Sequence, residues 1–393
     1  MTCGVKPLRA VVTGYGVHAA VDRIEEAFEL FERGETRLAE QELPREAGGV
    51  GCLGAGCSSE PPLAYLPQRK WIKYMGPQTQ YAVWAAGKAL EHAGLWSARA
   101  TTEAVAERAA LGLFLASGPI AFELSDVVPG LNASLDAEGE LDFGLMGTAG
   151  LRSTSPMMPF HTLLNMPIGL TSMVFGIQGA NAIYYPDCEQ ALFALSAATR
   201  SIEHGRSLGA LVGGTAHLRS LMPLVSYRRR GWLADSQRSA QPFSVDHRGW
   251  GIADGSGMLV LESEARALGR GAEIHARLEV DAMPSDTETL GVRYLAEARR
   301  PDLFVVTGTL DEAQEAEALT LADAMPCLSL DGVMGYSGSA SLAQSLAAAC
   351  CLLKSPSLIR RGTWLQHGTI EVLFAFPGAR SGRWGRVRVE KTS

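Results

Sequence analysis

Short unbroken apolar runs alternate along this chain with longer segments whose apolar residues recur at helical spacing. Leu8–Thr13 reads as a buried strand closed by Gly14-Tyr15-Gly16, and residues 22–32 carry a helical period. Residues 43–62, rich in Gly, Pro, Ser and Glu, read as a surface loop. Pro77 opens a helix that Gly94 would close. Ala110–Ala116 reads as a central strand, 126–156 as irregular, and 165–176 as a helix of small residues. Ala180–Tyr185 is the next strand, followed by a turn at Pro186-Asp187-Cys188 and a helix over 189–204 that Gly205 ends. Further strands are expected at Leu208–Val212, Met258–Glu262, Ile274–Val280, Leu303–Val306, Cys327–Leu330, Thr369–Phe376 and Arg383–Glu390. Helices are expected at 310–324 and 340–353. Strands alternating with helices predict α/β layers. No short repeat period appears, which excludes a solenoid.

Composition narrows the class. The 393 residues are 47% hydrophobic and 20% charged, an ordinary globular balance. The net charge of -7 carries no basic footprint for nucleic acid and no polybasic cluster for an anionic membrane. The first residues lack a hydrophobic signal core, and the apolar run at 111–122 is too short and glycine-broken to span a bilayer. A cytoplasmic protein is expected. Seven cysteines occur, at 3, 52, 57, 188, 327, 350 and 351, with no C-x-x-C pair, so neither a disulfide framework nor a zinc site is expected. No metal or cofactor is expected: TGYG does not form G-x-G-x-x-G, and a G-x-S-x-G elbow is missing. The carboxylates of residues 308–318 read as a solvated helix face. His161, His217 and His247 have no metal spacing and read as hydrogen-bonding residues.

One segment carries more chemistry than the rest. Residues 179–205, GANAIYYPDCEQALFALSAATRSIEHG, form a strand, a tight turn bearing Cys188, and a helix. A thiol at such an elbow meets the N–H groups of a helix N-terminus, which can stabilise a thiolate. That suits a nucleophile accepting an acyl group by transthioesterification.

The segment resembles the active-site elbow of β-ketoacyl synthases, with Gly179, Cys188 and Ala194 at matching places. Four further stretches resemble the same family in order: AVVTGYGV (10–17), PMMPFHTLLNMPIGLTSMVFGIQG (156–179), GALVGGTAH (209–217) and QPFSVDHRGWGIADGSGMLVLE (241–262). The resemblance implies a thiolase-like fold: two pseudo-repeated βαβ halves in a five-layer αβαβα architecture. The halves are expected at 1–265, with the elbow Cys188, and 266–393, shortened.

The chain departs from the family where condensation is performed. One family histidine lies in D-x-x-x-x-H-G-T; here DLFVVTGT (302–309) puts Thr307 in its place. The other lies in K-S-x-x-G-H; here DGVMGY (331–336) puts Asp331 at the lysine and Tyr336 at the histidine. Decarboxylation of a malonyl thioester builds negative charge, and one oxyanion donor is worth about 3–4 kcal/mol. Thr307 is a weak neutral donor, and Asp331 carries the wrong sign for an anionic intermediate. Asp187 and Glu189 flank Cys188 and should raise its pKa. Cys188 therefore reads as a buried structural thiol or, against its neighbours, as an acyl acceptor. Phe374 and Phe376 lie where the family has its G-F-G-G gate, and Pro377 stiffens that stretch.

The resemblance implies a role without condensation: a ketosynthase β subunit, or chain-length factor, of a type II polyketide synthase, including the polyene and aryl-polyene branches. Its implied partners are an active ketosynthase subunit, in a heterodimer or heterotetramer, and an acyl carrier protein reached through the complex. The strand of Ala180, Asn181, Ala182, Ile183, Tyr184 and Tyr185 is the implied dimer strand. Phe122, Leu124 and Phe143 are the implied chain-pocket lining. Two alternatives stay open: an acyltransferase or condensing enzyme using Cys188 with an atypical base, and a homodimeric acyl-binding protein.

Overall fold

A computed structural model describes residues 8–41, 51–97, 101–119, 121, 124–185, 189–281, 300–310, 312–360, 365–376 and 384–392. Twelve strands are described: β1 (Ala10–His18), β2 (Ala39–Gln41), β3 (Cys52–Ala55), β4 (Gly112–Ser117), β5 (Asn181–Tyr184), β6 (Gly209–His217), β7 (Ile252–Ser263), β8 (Ala276–Asp281), β9 (Leu303–Thr307), β10 (Cys327–Leu328), β11 (Thr369–Ala375) and β12 (Trp384–Glu390). The described helices of eight residues or more are α1 (Ile24–Arg33), α2 (Pro77–His92), α3 (Thr102–Ala109), α4 (Leu124–Asn132), α5 (Met166–Phe175), α6 (Gln190–Glu203), α7 (Leu221–Arg229), α8 (Glu312–Ala324) and α9 (Ser341–Lys354).

The sheet order is β10-β9-β11-β12-β8-β1-β7-β6-β4-β5. Its two ends repeat each other. Walking inward from β5, the pairings with β4, β6, β7 and β1 run parallel, parallel, antiparallel, antiparallel. Walking inward from β10, the pairings with β9, β11, β12 and β8 run in the same sequence. The halves meet where β1 pairs β8.

Side-chain alternation along the strands shows how the layers stack. In β6 and β7, Val212, Leu259 and Leu261 face one core, shared with α6 and α9. Leu211, Met258 and Val260 face another, shared with α2 and α5. In β9, Leu303 and Val305 turn to the α6/α9 core, while Phe304 and Val306 turn to Ala318 and Leu321 of α8. The order is therefore α2/α5, sheet, α6/α9, sheet, α8: five layers. Every residue of α9 from Ser341 to Leu353 is buried, as a helix between two sheets must be.

Several elements differ from the reading of the sequence. Gly14 and Gly16 do not end β1; they lie inside it, with a register shift between Val12 and Gly14. A Cβ at Gly16 would stand 2.3 Å from the Ala85 carbonyl oxygen of α2, so these glycines admit a helix and do not form a turn. Residues 126–156 are largely helical, through α4 and the turns at 143–153. The 43–62 loop contains the buried β3, and α3 and α7 were not expected. Among the described residues no helix is long and apolar enough to cross a membrane.

Candidate functional site

The end of β9 organises the site. Thr307, 1% exposed, is its last residue, and Gly308 turns the chain with φ 82. The Thr307 hydroxyl donates to both carboxylate oxygens of Asp331, at 2.9 and 3.0 Å. The Gly308 N–H donates to the same carboxylate at 2.8 Å. Burial pushes the Asp331 carboxyl up to about 6, opposed by these two donors and by His247 and reinforced by Glu315.

Tyr336 enters from the other side. Its backbone is held by β7: its N–H donates to the Gly251 carbonyl at 2.7 Å, and the Ala253 N–H donates to its carbonyl at 2.8 Å. Its ring is fully buried, with a ring carbon 3.4 Å from where a Cβ on Gly308 would lie. Trp250 packs on that ring, centroids 4.0 Å apart, and donates its indole N–H to the Thr309 carbonyl at 2.8 Å. Thr307, Asp331 and Tyr336, the positions expected to replace the family's catalytic residues, thus converge around Gly308. Asp331 and Thr307 satisfy each other, and Tyr336 fills volume with an aromatic ring.

The gate candidates stand beside them. Phe374 pairs with Thr307 across the parallel β9/β11 ladder and is fully buried. Phe376 is 5% exposed and meets Phe374 edge-on at 5.9 Å. The Gln314 side-chain amide donates to the Phe376 carbonyl at 3.0 Å. A Cβ on Gly385 would touch both Leu192 of α6 and the Phe376 ring, so the first turn of α6 abuts the gate. Cys188, Pro186, Asp187, Phe122 and Pro377 lie outside the described residues.

The carboxylate face of α8 is a correction. Glu315 is not solvated: it is 5% exposed, accepts from the Phe243 N–H, and pairs with His247 Nδ1 at 3.1 Å. It thereby holds Phe243 at φ 62, an uncommon conformation for this residue type. Gln314 is also fully buried. The apolar pair Ala318 and Leu321 marks the buried side of this helix, and that phase was the signal available in the sequence.

His161 bonds Asp126 at 2.9 Å and the Lys73 carbonyl at 3.2 Å, and His217 pairs with Asp254 at 3.0 Å. Among the described residues no group of three or more His, Cys, Asp and Glu is placed to hold a metal. β5 ends the sheet, and its side chains from Ala182 to Tyr184 are half-buried. Leu124 starts α4 and is half-buried, whereas Phe143 is 79% exposed and lines no interior of this chain. Phe143 stands among Leu141, Met146 and Leu151, all strongly exposed.

The profile of the β-ketoacyl synthase N-terminal domain matches residues 61–267, just over half of the chain. This chain belongs to the β-ketoacyl synthase family. A mitochondrial 3-oxoacyl-[acyl-carrier-protein] synthase of Arabidopsis thaliana is 33% identical over 133 residues, 33% of this chain and 29% of that protein. The 3-oxoacyl-[acyl-carrier-protein] synthase 2 of Vibrio harveyi is 25% identical over 284 residues, 71% of this chain and 63% of that one. These matches span less than two thirds of either relative. Among solved structures, the ishigamide ketosynthase/chain length factor superposes with a TM-score of 0.72 at 20% identity, over 98% of this chain and 100% of that one. A type II polyketide synthase ketosynthase in complex with its acyl-carrier protein gives 0.69 at 16%, with the same coverage. At these identities the likeness establishes the fold, the thiolase-like α/β fold of ketoacyl synthases.

Proposed function

We propose that this chain is a non-condensing, chain-length-factor-like subunit. It pairs with an active ketosynthase and helps shape the pocket in which an acyl or polyketide chain grows. The observation that carries the reading is the closed network at Gly308. Condensation needs donors free to meet a developing enolate oxygen. Here the Thr307 hydroxyl and the Gly308 N–H are both committed to Asp331, and Tyr336 occupies the remaining space. An ionised Asp331 would also repel the enolate.

Pairing is supported at the sheet end. β5 offers an edge for a partner strand, and a partly apolar open edge is a liability in a monomer. Met173, 61% exposed, and Phe193, 39% exposed, lie on α5 and α6, the two helices that pack against this edge. The exposed Phe143 and Leu151 add an apolar face suited to an obligate interface. Leu124 and Phe143 would then line a pocket completed by the partner. We read the two halves as 1–265 and 266–393.

The test is decarboxylation of a malonyl-carrier thioester. The chain alone should release carbon dioxide at the background rate, and the same chain co-expressed with an active type II ketosynthase should co-purify with it. Turnover by the chain alone that disappears in Cys188→Ala would overturn the proposal.

A further inference from the structure

The segment 124–153 stands apart from the layers. Its helix α4 and its turns at 143–153 pack chiefly on one another. Its polar groups close on themselves as well. The Ser134 hydroxyl donates to the Gly130 carbonyl, the Asp142 N–H to the Ser134 carbonyl, and the Leu145 N–H to the Asp142 carboxylate. Among the described residues, the hydrogen bond that leaves this segment for the body, past its chain neighbour Thr154, joins Asp126 of α4 to His161.

His161 is seated on the body. The helical turn that carries it, Met158–Thr162, lies against the start of α2, where a Cβ on Gly76 would stand 3.3 Å from the His161 carbonyl oxygen. The neighbouring Phe160 meets Tyr74 edge-on at 5.2 Å. The His161 ring faces an acceptor at each nitrogen: Nδ1 lies 2.9 Å from Asp126 Oδ2, and Nε2 lies 3.2 Å from the Lys73 carbonyl oxygen. An ionised carboxylate and a carbonyl have no proton to give. A neutral imidazole, with one N–H, satisfies one of them and turns a lone pair on the other; an imidazolium satisfies both. The other charged side chains on the surrounding elements are Arg69, Lys70 and Lys73 of the 69–74 turn and Arg152 behind α4, all exposed, with the Lys73 ammonium over the Tyr74 ring at 4.9 Å. Helix α5 and the first turn of α2 carry no charge.

We propose that His161 is a proton-dependent tether of the segment 124–153. The imidazolium holds α4 to the body, and loss of its second proton releases one end of the bridge. Asp126 is the anchor on the segment, and the Lys73 carbonyl orients the ring from the body. The exposed Phe143 and Leu151 travel with this segment, so the tether sets how firmly their apolar surface is held.

The experiment follows amide hydrogen exchange of the folded full-length chain between about pH 5.5 and 8.5, the range in which imidazoles change charge. Rates are corrected for intrinsic exchange, and α9 serves as the internal reference. Protection of α4 should fall at least about fivefold as pH rises, as expected for weakening a charge-assisted hydrogen bond. In His161→Gln it should stay at the parent's high-pH level throughout. The ring carbon signal of His161, followed by NMR in histidine-labelled protein, should move with the same midpoint as the protection. Should His161→Gln fail to fold, agreement of the two midpoints in the parent decides. Protection that ignores pH, an equal slope in His161→Gln, or a His161 signal that stays still or moves with a different midpoint would overturn the proposal.

Discussion

The Thr307 hydroxyl and the Asp331 carboxylate satisfy each other, at 2.9 and 3.0 Å, in a buried corner that also holds the Gly308 N–H. The aspartate's ordinary value is 3.8, and here it is pushed up to about 6. Between those values the folded state binds more protons than the unfolded one. Its contribution is therefore complete below pH 3.8 and is lost as pH rises through 6. Asp331→Asn should be more stable than the parent at pH 8 by on the order of 2 kcal/mol, with the gap closing towards pH 4. Urea unfolding of both proteins at the two pH values reads this directly, and an equal midpoint at pH 8 would remove the buried-charge account.

His275 titrates with the opposite consequence. Burial, and then the charge of His92, whose ring lies tilted at 4.3 Å, lower it from 6.5 to about 4, while Glu273 pulls the other way. The unfolded chain binds the extra proton, so stability falls as pH drops from 6.5 towards 4. His275→Phe should lose less stability between pH 7 and 4.5 than the parent, by on the order of 2 kcal/mol. Parallel pH slopes for the two proteins would show that the histidine pair does not matter.

Trp250 is the residue on which the site leans. It is 2% exposed, packs on Tyr227, Trp232 and Tyr336, and ties its indole to Thr309. Trp250→Ala should cost about 3–5 kcal/mol, measured by denaturant unfolding. A cost under about 1 kcal/mol would mean that the site collapses without strain.

What the sequence disclosed depended on how local the signal was. The alternation of apolar runs and helices was enough for the layered α/β class; Thr307, Asp331 and Tyr336 were picked out by motif position and lie together in the structure, while the elbow Cys188 lies outside the described residues. Gly14 and Gly16 misled, because a glycine that admits a close neighbour looks the same as one that makes a turn. A Cβ on Gly14 would lie 2.5 Å from the Ala89 carbonyl oxygen, a contact between a strand and a helix far apart in sequence. Glu315 misled for the same reason: its partners Phe243 and His247 are about seventy residues away. Trp250 was not singled out because nothing local distinguishes a keystone aromatic from any other.

The exposed apolar side chain of Phe143 makes a prediction about assembly. Phe143 is 79% exposed, so Phe143→Asp should change the chain's own stability by less than about 0.5 kcal/mol. It should weaken pairing with a ketosynthase at least about tenfold, read by analytical ultracentrifugation of the mixture. Unchanged pairing would take this face out of the interface.

The reading of an emptied site stands or falls on whether the elbow thiol is used. The direct measurement is product formation by the reconstituted pair, ketosynthase plus this chain, with Cys188→Ala in this chain only. The account predicts output within about tenfold of the parent pair, a difference under roughly 1.4 kcal/mol in barrier. A larger loss, with the pair still assembled, would contradict it and make Cys188 a working nucleophile.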